Sequence, residues 1–225
     1  MGYGIKILIE GDYALFSRPE MKVERVSYDV PTPSALTGLI SNIYWHPGVK
    51  YIIDTIHVLR PVQFVNIRRN EVSEKLPLSA VKKQMEGLTD DISIYTKECI
   101  SQRASLLLKN VLYGVDAHFE LTDDKDSEQT PEKCYNILLR RLRKGQHFAQ
   151  PCLGCREFPA RVTLTDEIPQ SPLLGDIDLG YMLYDLQYKK DKDGKSLDSA
   201  ESRFYRPHMV NGVIDVAKYA QGLLC

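Results

Sequence analysis

The sequence predicts an α+β fold, and three observations carry that prediction. Aliphatic residues alternate with polar ones at 4–10 and again at 106–121, which is the period of a strand. Two stretches, 32–45 and 130–144, open on Thr-Pro and continue as apolar stripes at helical spacing. These segments, with one strand interrupted at Pro61 between them and one strand after, run in the order strand, helix, strand, strand, helix, strand before a shorter β-rich tail.

Each element has its own signal. Ile5, Ile7 and Ile9 alternate with Lys6, Leu8 and Glu10, and Gly11-Asp12 is expected to end that strand. In the helix expected at 33–45, Thr32 is the cap, Pro33 fits the first helical position, and Leu36, Leu39, Ile40 and Ile43 share one face. Pro47-Gly48 stops the helix, so Tyr44, Trp45 and His46 stand at its exit. The β-branched run Tyr51 to Leu59 predicts a strand, which Pro61 interrupts and Val62 to Arg69 resumes in a long hairpin. Residues 70–102 show no period and read as a loop-like basic insertion. From Leu106 to Leu121, Val111, Tyr113, Val115, Ala117 and Phe119 alternate with Leu112, Gly114, Asp116, His118 and Glu120, so His118 faces away from Phe119. Tyr135, Leu138, Leu139 and Leu142 form the second helical stripe, closed by Gly145, and a strand is expected near Phe158 to Leu164.

This order is the βαββαβ plan of the ferredoxin-like, or RNA-recognition-motif-like, fold. Pro169, Pro172 and Gly175 suggest a boundary, dividing the chain into a core at 1–165 and a smaller β-rich part at 166–225. Strands are expected there at Leu179 to Tyr188 and Phe204 to Tyr219, with Asp193-Gly194 and Asn211-Gly212 as turns.

Composition narrows the function. The 225 residues are 43% hydrophobic and 26% charged, ordinary for a globular protein. No apolar run approaches the roughly 20 residues that cross a bilayer, and the N-terminus has no basic-then-apolar leader, so a cytoplasmic protein without membrane partners is expected. A net charge of -1 argues against a promiscuous nucleic-acid binder but allows a local basic groove. Five cysteines in such a chain argue against a disulfide framework. Cys152 and Cys155 form a lone CxxC, and no second pair completes a zinc site. No metal and no cofactor are expected.

The residues able to carry chemistry are few. His118 shares its face with Asp116 and Glu120, and histidine is the side chain suited to proton transfer near neutral pH. The competing reading is a histidine satisfied by a hydrogen bond at a strand edge. Tyr44, at a helix exit, is either a core anchor or a site residue. Basic residues gather at Arg68-Arg69, at Lys82-Lys83, and at Arg140, Arg141, Arg143 and Lys144. A phosphate groove explains all three groups if they lie on one side, and Arg156 in the loop Cys152 to Glu157 could join it. For the last group a solvated helix end is a sufficient explanation.

Five stretches together carry a resemblance: Gly11-Asp12-Tyr13-Ala14-Leu15-Phe16; Pro31 to Leu36 running to Ile43-Tyr44-Trp45; Ala117-His118-Phe119-Glu120; Leu153-Gly154-Cys155-Arg156-Glu157-Phe158; and Asp178 to Asp185. In this order and spacing the sequence resembles the CRISPR-associated protein five family of type I-C systems. The resemblance implies an RNA-recognition-motif core and a metal-independent endoribonuclease that cuts CRISPR repeat RNA. The attacking group it implies is the RNA's own 2′-hydroxyl, giving 2′,3′-cyclic phosphate and 5′-hydroxyl ends. It also implies that the protein stays on the crRNA 5′ handle beside other subunits of a surveillance complex. By position, Tyr44 and His118 match the family's catalytic tyrosine and histidine. The family's nearby lysine has no counterpart beside His118, where Asp116 and Ala117 stand, so Lys109, Lys82 and Lys83 are the candidates. The alternative is a subunit that binds the 5′ handle without cutting.

Overall fold

The computed structural model describes residues 3–21, 23–88, 92–122, 129–190 and 196–224. The chain runs β1 (Gly4–Ala14), β2 (Arg25–Val26), α1 (Pro33–Ile43), β3 (Val49–Val58), β4 (Phe64–Val72), α2 (Leu78–Met85), β5 (Ile100–Leu121), α3 (Pro131–Lys144) and β6 (Arg161–Leu164). It continues with β7 (Asp176–Asp178), β8 (Met182–Lys190), β9 (Ser196–Tyr205), β10 (His208–Val210), β11 (Val213–Asp215), α4 (Val216–Tyr219) and a final 3-10 turn at Ala220–Gly222. The result is a mixed α/β architecture built on one large, mostly antiparallel sheet.

That sheet has nine described strands in the order β6-β1-β5-β3-β11-β10-β7, with β2 and β4 paired to the first half of β5. The 22-residue β5 is the spine. Residues 100–108 pair with β4, the stretch from Leu108 to His118 pairs with β1, and that from Tyr113 to Leu121 pairs with β3. Between the halves the alternation breaks: Leu107 and Leu108 are both buried, Lys109 and Asn110 both exposed, and Asn110 takes φ 54°. A two-stranded β8–β9 hairpin lies outside the large sheet. It is tied to the core by the Leu183 N–H, which donates to the Tyr28 hydroxyl at 3.2 Å.

Both long helices pack on one face of the sheet. Thr32 accepts from the Ala35 N–H at 3.2 Å and Thr130 from the Lys133 N–H at 3.3 Å, so each Thr-Pro pair starts its helix as expected. Leu36, Leu39, Ile40 and Ile43 of α1 and Leu138 and Leu142 of α3 close over Ile5, Ile7, Ile9, Ile53, Ile56, Val115 and Phe119. This is the single large apolar cluster of the described residues, and it leaves the opposite face of the sheet free of helices.

A strap crosses that opposite face. The Thr165 N–H donates to the Lys6 carbonyl on β1 at 3.0 Å, and Ser171 Oγ donates to the Val58 carbonyl at the end of β3 at 2.6 Å. Between them Ile168 lies over Gly114 on β5, where an added Cβ would come within 2.3 Å of its side chain. The prolines and glycine of this segment therefore mark a crossing, after which β7, β10 and β11 extend the same sheet.

Several expectations need correction. Gly11-Asp12 does not end β1, which continues to Ala14 because it follows β5 as far as Leu108. The described part of 70–102 is not loop throughout: β4 extends to Val72, α2 occupies Leu78–Met85, and β5 begins at Ile100. Helix α2 buries no residue: Leu78, Val81 and Met85 stand at helical spacing, but Leu78 and Met85 are exposed. The strand expected over Phe204 to Tyr219 is instead the end of β9, the short strands β10 and β11, and α4, whose cap is Asp215. The acidic residues 123–128, the Asp193-Gly194 turn and Cys225 lie outside the described residues.

Candidate functional site

The helix-free face carries the most concentrated polar chemistry. Alternation turns Asp116 and His118 of β5 toward it, because Val115, Ala117 and Phe119 point into the core. Across the ladder, β3 has an irregularity between Ile53 and Thr55. Such a bulge inserts one unpaired residue, and here it sends Asp54 and Thr55 to the same side. The His118 Nδ1–H donates to Asp54 Oδ2 at 2.8 Å. That bond fixes the neutral tautomer and leaves Nε2 as the basic nitrogen. Beside it, Thr55 Oγ1 donates to Asp116 Oδ2 at 2.7 Å, and His57 Nε2 lies 3.3 Å from the same oxygen.

Two lysines flank the histidine through strand register. Lys50 of β3 is paired with Glu120, and Lys6 of β1 with Asp116. Each is therefore a diagonal neighbour of His118 on the same face, with Cα atoms about 7–8 Å away. Both are exposed. The site joins the imidazoles of His118 and His57, the carboxylates of Asp54, Asp116 and Glu120, and two lysines in diagonal register. A group of that kind can accept a proton and stabilise developing negative charge.

Tyr44 is elsewhere. It caps α1, keeps only 6% of its surface, and directs its hydroxyl to the buried Cys134 Sγ of α3 at 3.7 Å. Its carbonyl accepts from the Tyr51 hydroxyl at 2.7 Å, and Tyr51 packs edge-on against Phe119 in the core. Burial, with the Cys134 contact adding to it, pushes the Tyr44 hydroxyl up to about 12. Tyr44 and His118 thus lie on opposite faces of the sheet, and the expected convergence of the two on one phosphodiester is not what the fold builds. Tyr44 is a core anchor.

Lys109 is also remote. It sits opposite Tyr13, nine positions before His118 along β5, which is about 30 Å of strand. Lys82 and Lys83 lie in the last turn of α2. Of the basic groups, Arg69 is engaged with Glu71, Glu157 and Ser105, and Arg25 and Arg103 also approach Glu71 within 3.6 Å. Arg141 donates to the Ile43 carbonyl at 2.7 Å and covers the Tyr44 ring. Arg68, Arg140, Arg143, Lys144 and Arg156 are exposed. The basic residues therefore occupy two regions, one around β4, α2 and the 152–158 loop and the other at the end of α3.

A cleft of about 580 Å³ opens beside the His118 dyad, at the edge of β1 that β6 does not cover. Among the described residues no group of three or more His, Cys, Asp or Glu is arranged to hold a metal ion. No described helix is long and apolar enough to cross a membrane.

Residues 4–217 match the family model described as CRISPR-associated protein (Cas_Cas5), Cas5d type. The chain belongs to the Cas5d family. The CRISPR pre-crRNA endoribonuclease Cas5d of Mannheimia succiniciproducens is 40% identical over 226 residues, covering 97% of each chain. The protein of the same name from Thermus thermophilus is 40% identical over 188 residues, covering 83% of this chain and 75% of its own. A crystal structure of a CRISPR-associated protein superposes with a TM-score of 0.66 at 25% identity, covering 94% of this chain and 90% of that one. A functionally uncharacterized Streptococcus mutans protein, SMU1763c, gives 0.65 at 26% identity with the same coverage.

Within this Cas5d-family fold, sequence reasoning pointed to His118 and not to Asp54, Lys6 and Lys50, which the strands bring beside it. Alternation already puts Lys6 on the polar side of its strand. What no local pattern supplies is the register that brings three distant strands together, or the bulge that turns Asp54.

Proposed function

We propose that this chain is a metal-independent endoribonuclease of CRISPR repeat RNA, with His118 at its catalytic centre. The observation that carries this reading is the His118–Asp54 pair between Lys6 and Lys50 on the helix-free face. Two relatives of the chain carry the name pre-crRNA endoribonuclease. In this mechanism His118 Nε2 takes the proton of a ribose 2′-hydroxyl, and the freed oxygen attacks the adjacent phosphorus. The bond to the 5′-oxygen breaks, leaving a 2′,3′-cyclic phosphate on one fragment and a 5′-hydroxyl on the other. Asp54 orients the imidazole and balances the charge it gains. The ammonium of Lys50 or Lys6 stabilises the extra charge on the phosphorane and supplies a proton to the leaving oxygen.

Residues 1–165 then form a ferredoxin-like core, a reading supported by the order β6-β1-β5-β3 with α1 and α3 on one face. The exposed cations Arg68, Lys82, Lys83, Arg140, Arg143, Lys144 and Arg156 supply the phosphate contacts. After cutting, the protein stays on the crRNA 5′ handle as a subunit of a type I-C surveillance complex. Incubating the protein with its own repeat hairpin in EDTA and mapping both ends tests the proposal. One cut with the stated ends is expected. Tight binding without a cut overturns the enzyme reading and leaves the handle-binding subunit, which the separation of Tyr44 from His118 favours.

Tyr44→Phe gives a second check. With its hydroxyl buried against Cys134, the variant is expected to cut at the wild-type rate and lose about 1 kcal/mol of stability or less. A hundredfold slower cut with intact folding would return Tyr44 to the site.

A further inference from the structure

We propose that the cleft at the β1 edge is a base-reading pocket, and that it holds the base of a nucleotide flanking the cut and favours one that carries an exocyclic amine. The inference rests on the endoribonuclease reading above and adds what the site recognises. At about 580 Å³ the cleft is of the size that takes small ligands. Its wall is aromatic and aliphatic. Tyr3 and Tyr135 stand with ring centroids 5.3 Å apart and planes tilted by 55°, and Leu139 and Leu164 continue the lining. Both rings are held: Tyr3 stacks on Phe119 and donates to Glu132, and the Tyr135 hydroxyl donates to the Gly4 carbonyl at 3.1 Å.

The polar lining decides which part of a nucleotide enters. Asp54, Asp116 and Asp166 contribute carboxylates, while the cations Lys6 and Arg143 are exposed. Carboxylates repel a phosphate and accept hydrogen bonds from an amine, as acidic side chains do from cytosine N4. The described hydrogen bonds of Asp54 and Asp116 all fall on Oδ2, so each presents Oδ1 as an acceptor. Lys6 and Arg143 then meet the phosphates on either side of the seated base. Asp54 belongs to both the cleft and the His118 pair, so the seated base sits next to the reacting phosphodiester. Stacking on tyrosine with edge-reading is how proteins read single-stranded RNA.

The experiment scans the nucleotides within three positions of the cut, replacing each by an abasic ribose and, separately, adenine by purine, guanine by inosine or cytosine by uracil. Single-turnover cleavage is measured with wild type, Tyr135→Leu, Tyr135→Phe and Asp166→Asn. One position is expected at which base removal slows cleavage about tenfold, the scale of one aromatic stack. At that position loss of the amine alone also slows it. Tyr135→Leu is expected to be slow on the natural RNA and no slower on the abasic one, with Tyr135→Phe restoring most of the rate lost in Tyr135→Leu and Asp166→Asn blunting the amine preference. Equal rates at every position, or a Tyr135→Leu defect that adds fully to base removal, overturns the pocket. Equilibrium binding of the same RNAs to His118→Ala separates the two claims. If wild type never cuts, a single-base affinity loss that vanishes in a His118→Ala/Tyr135→Leu protein still supports the pocket, and a flat profile overturns it.

Discussion

His118→Ala is expected to slow single-turnover cleavage of the repeat hairpin in EDTA by at least about a hundredfold, the scale of losing a positioned proton-transfer group. Asp54→Asn is expected to slow it by about tenfold or more, because the amide preserves the shape but no longer balances an imidazolium. His118→Ala should still bind the hairpin as wild type does, since it removes neither a cation nor a group that lines the cleft. The side chains of His118 and Asp54 are about a third exposed, so neither change opens a core cavity. Lys50→Ala and Lys6→Ala, assayed together and singly, identify which ammonium faces the phosphorane. Wild-type cleavage by His118→Ala would remove the whole assignment. Wild-type cleavage by Asp54→Asn alone would reduce Asp54 to a bystander.

The second large effect falls on stability. In Gly154→Ala the new Cβ would lie 2.0 Å from the Leu15 carbonyl oxygen, at a backbone φ of +86°. Neither can relax cheaply, because the Leu15 N–H donates to the Leu153 carbonyl at 3.0 Å and Leu153 is fully buried. A loss of about 3 kcal/mol or more is expected from the combined clash and strain. That corresponds to a Tm lowered by roughly 6–12 °C for a chain of this size. Gly145→Ala is the control. It has φ +62° with no atom within 4 Å of the added Cβ, so only the left-handed backbone contributes, about 1 kcal/mol. Thermal melts of the two variants with equal Tm would show that the contact with Leu15 carries no strain.

The clash also explains why two of the sequence blocks belong together. Gly11-Asp12-Tyr13-Ala14-Leu15-Phe16 and Leu153-Gly154-Cys155-Arg156-Glu157-Phe158 are far apart in the chain but close on one another at Leu15 and Gly154. The blocks were legible, but their contact was not. The same contrast runs through the molecule. Helices α1 and α3 could be read because cap, proline and stripe are local signals. The second half of β5 could be read from its alternation. Its first half could not: Ser101, Gln102, Arg103 and Ser105 carry no apolar period, and they are a strand because β4 and β2 pair with them. For Tyr44 the sequence allowed an anchor or a site, and only the position of α3, with Cys134 beneath the hydroxyl, decides between them. The lysine sought along the chain beside His118 is supplied from across the ladder by Lys6 or Lys50 in the present reading.

The strap from Thr165 to Ser171 has a steric consequence for any nucleic acid that reaches this face. Ile168 stands on β5 at Gly114, four residues short of His118, which is about 13 Å along the strand. An RNA strand laid along β5 through His118 meets that barrier on one side and runs off the end of the sheet on the other. Under the proposed reaction, this crossing would cap how much unpaired RNA can lie on that side of the phosphate beside His118.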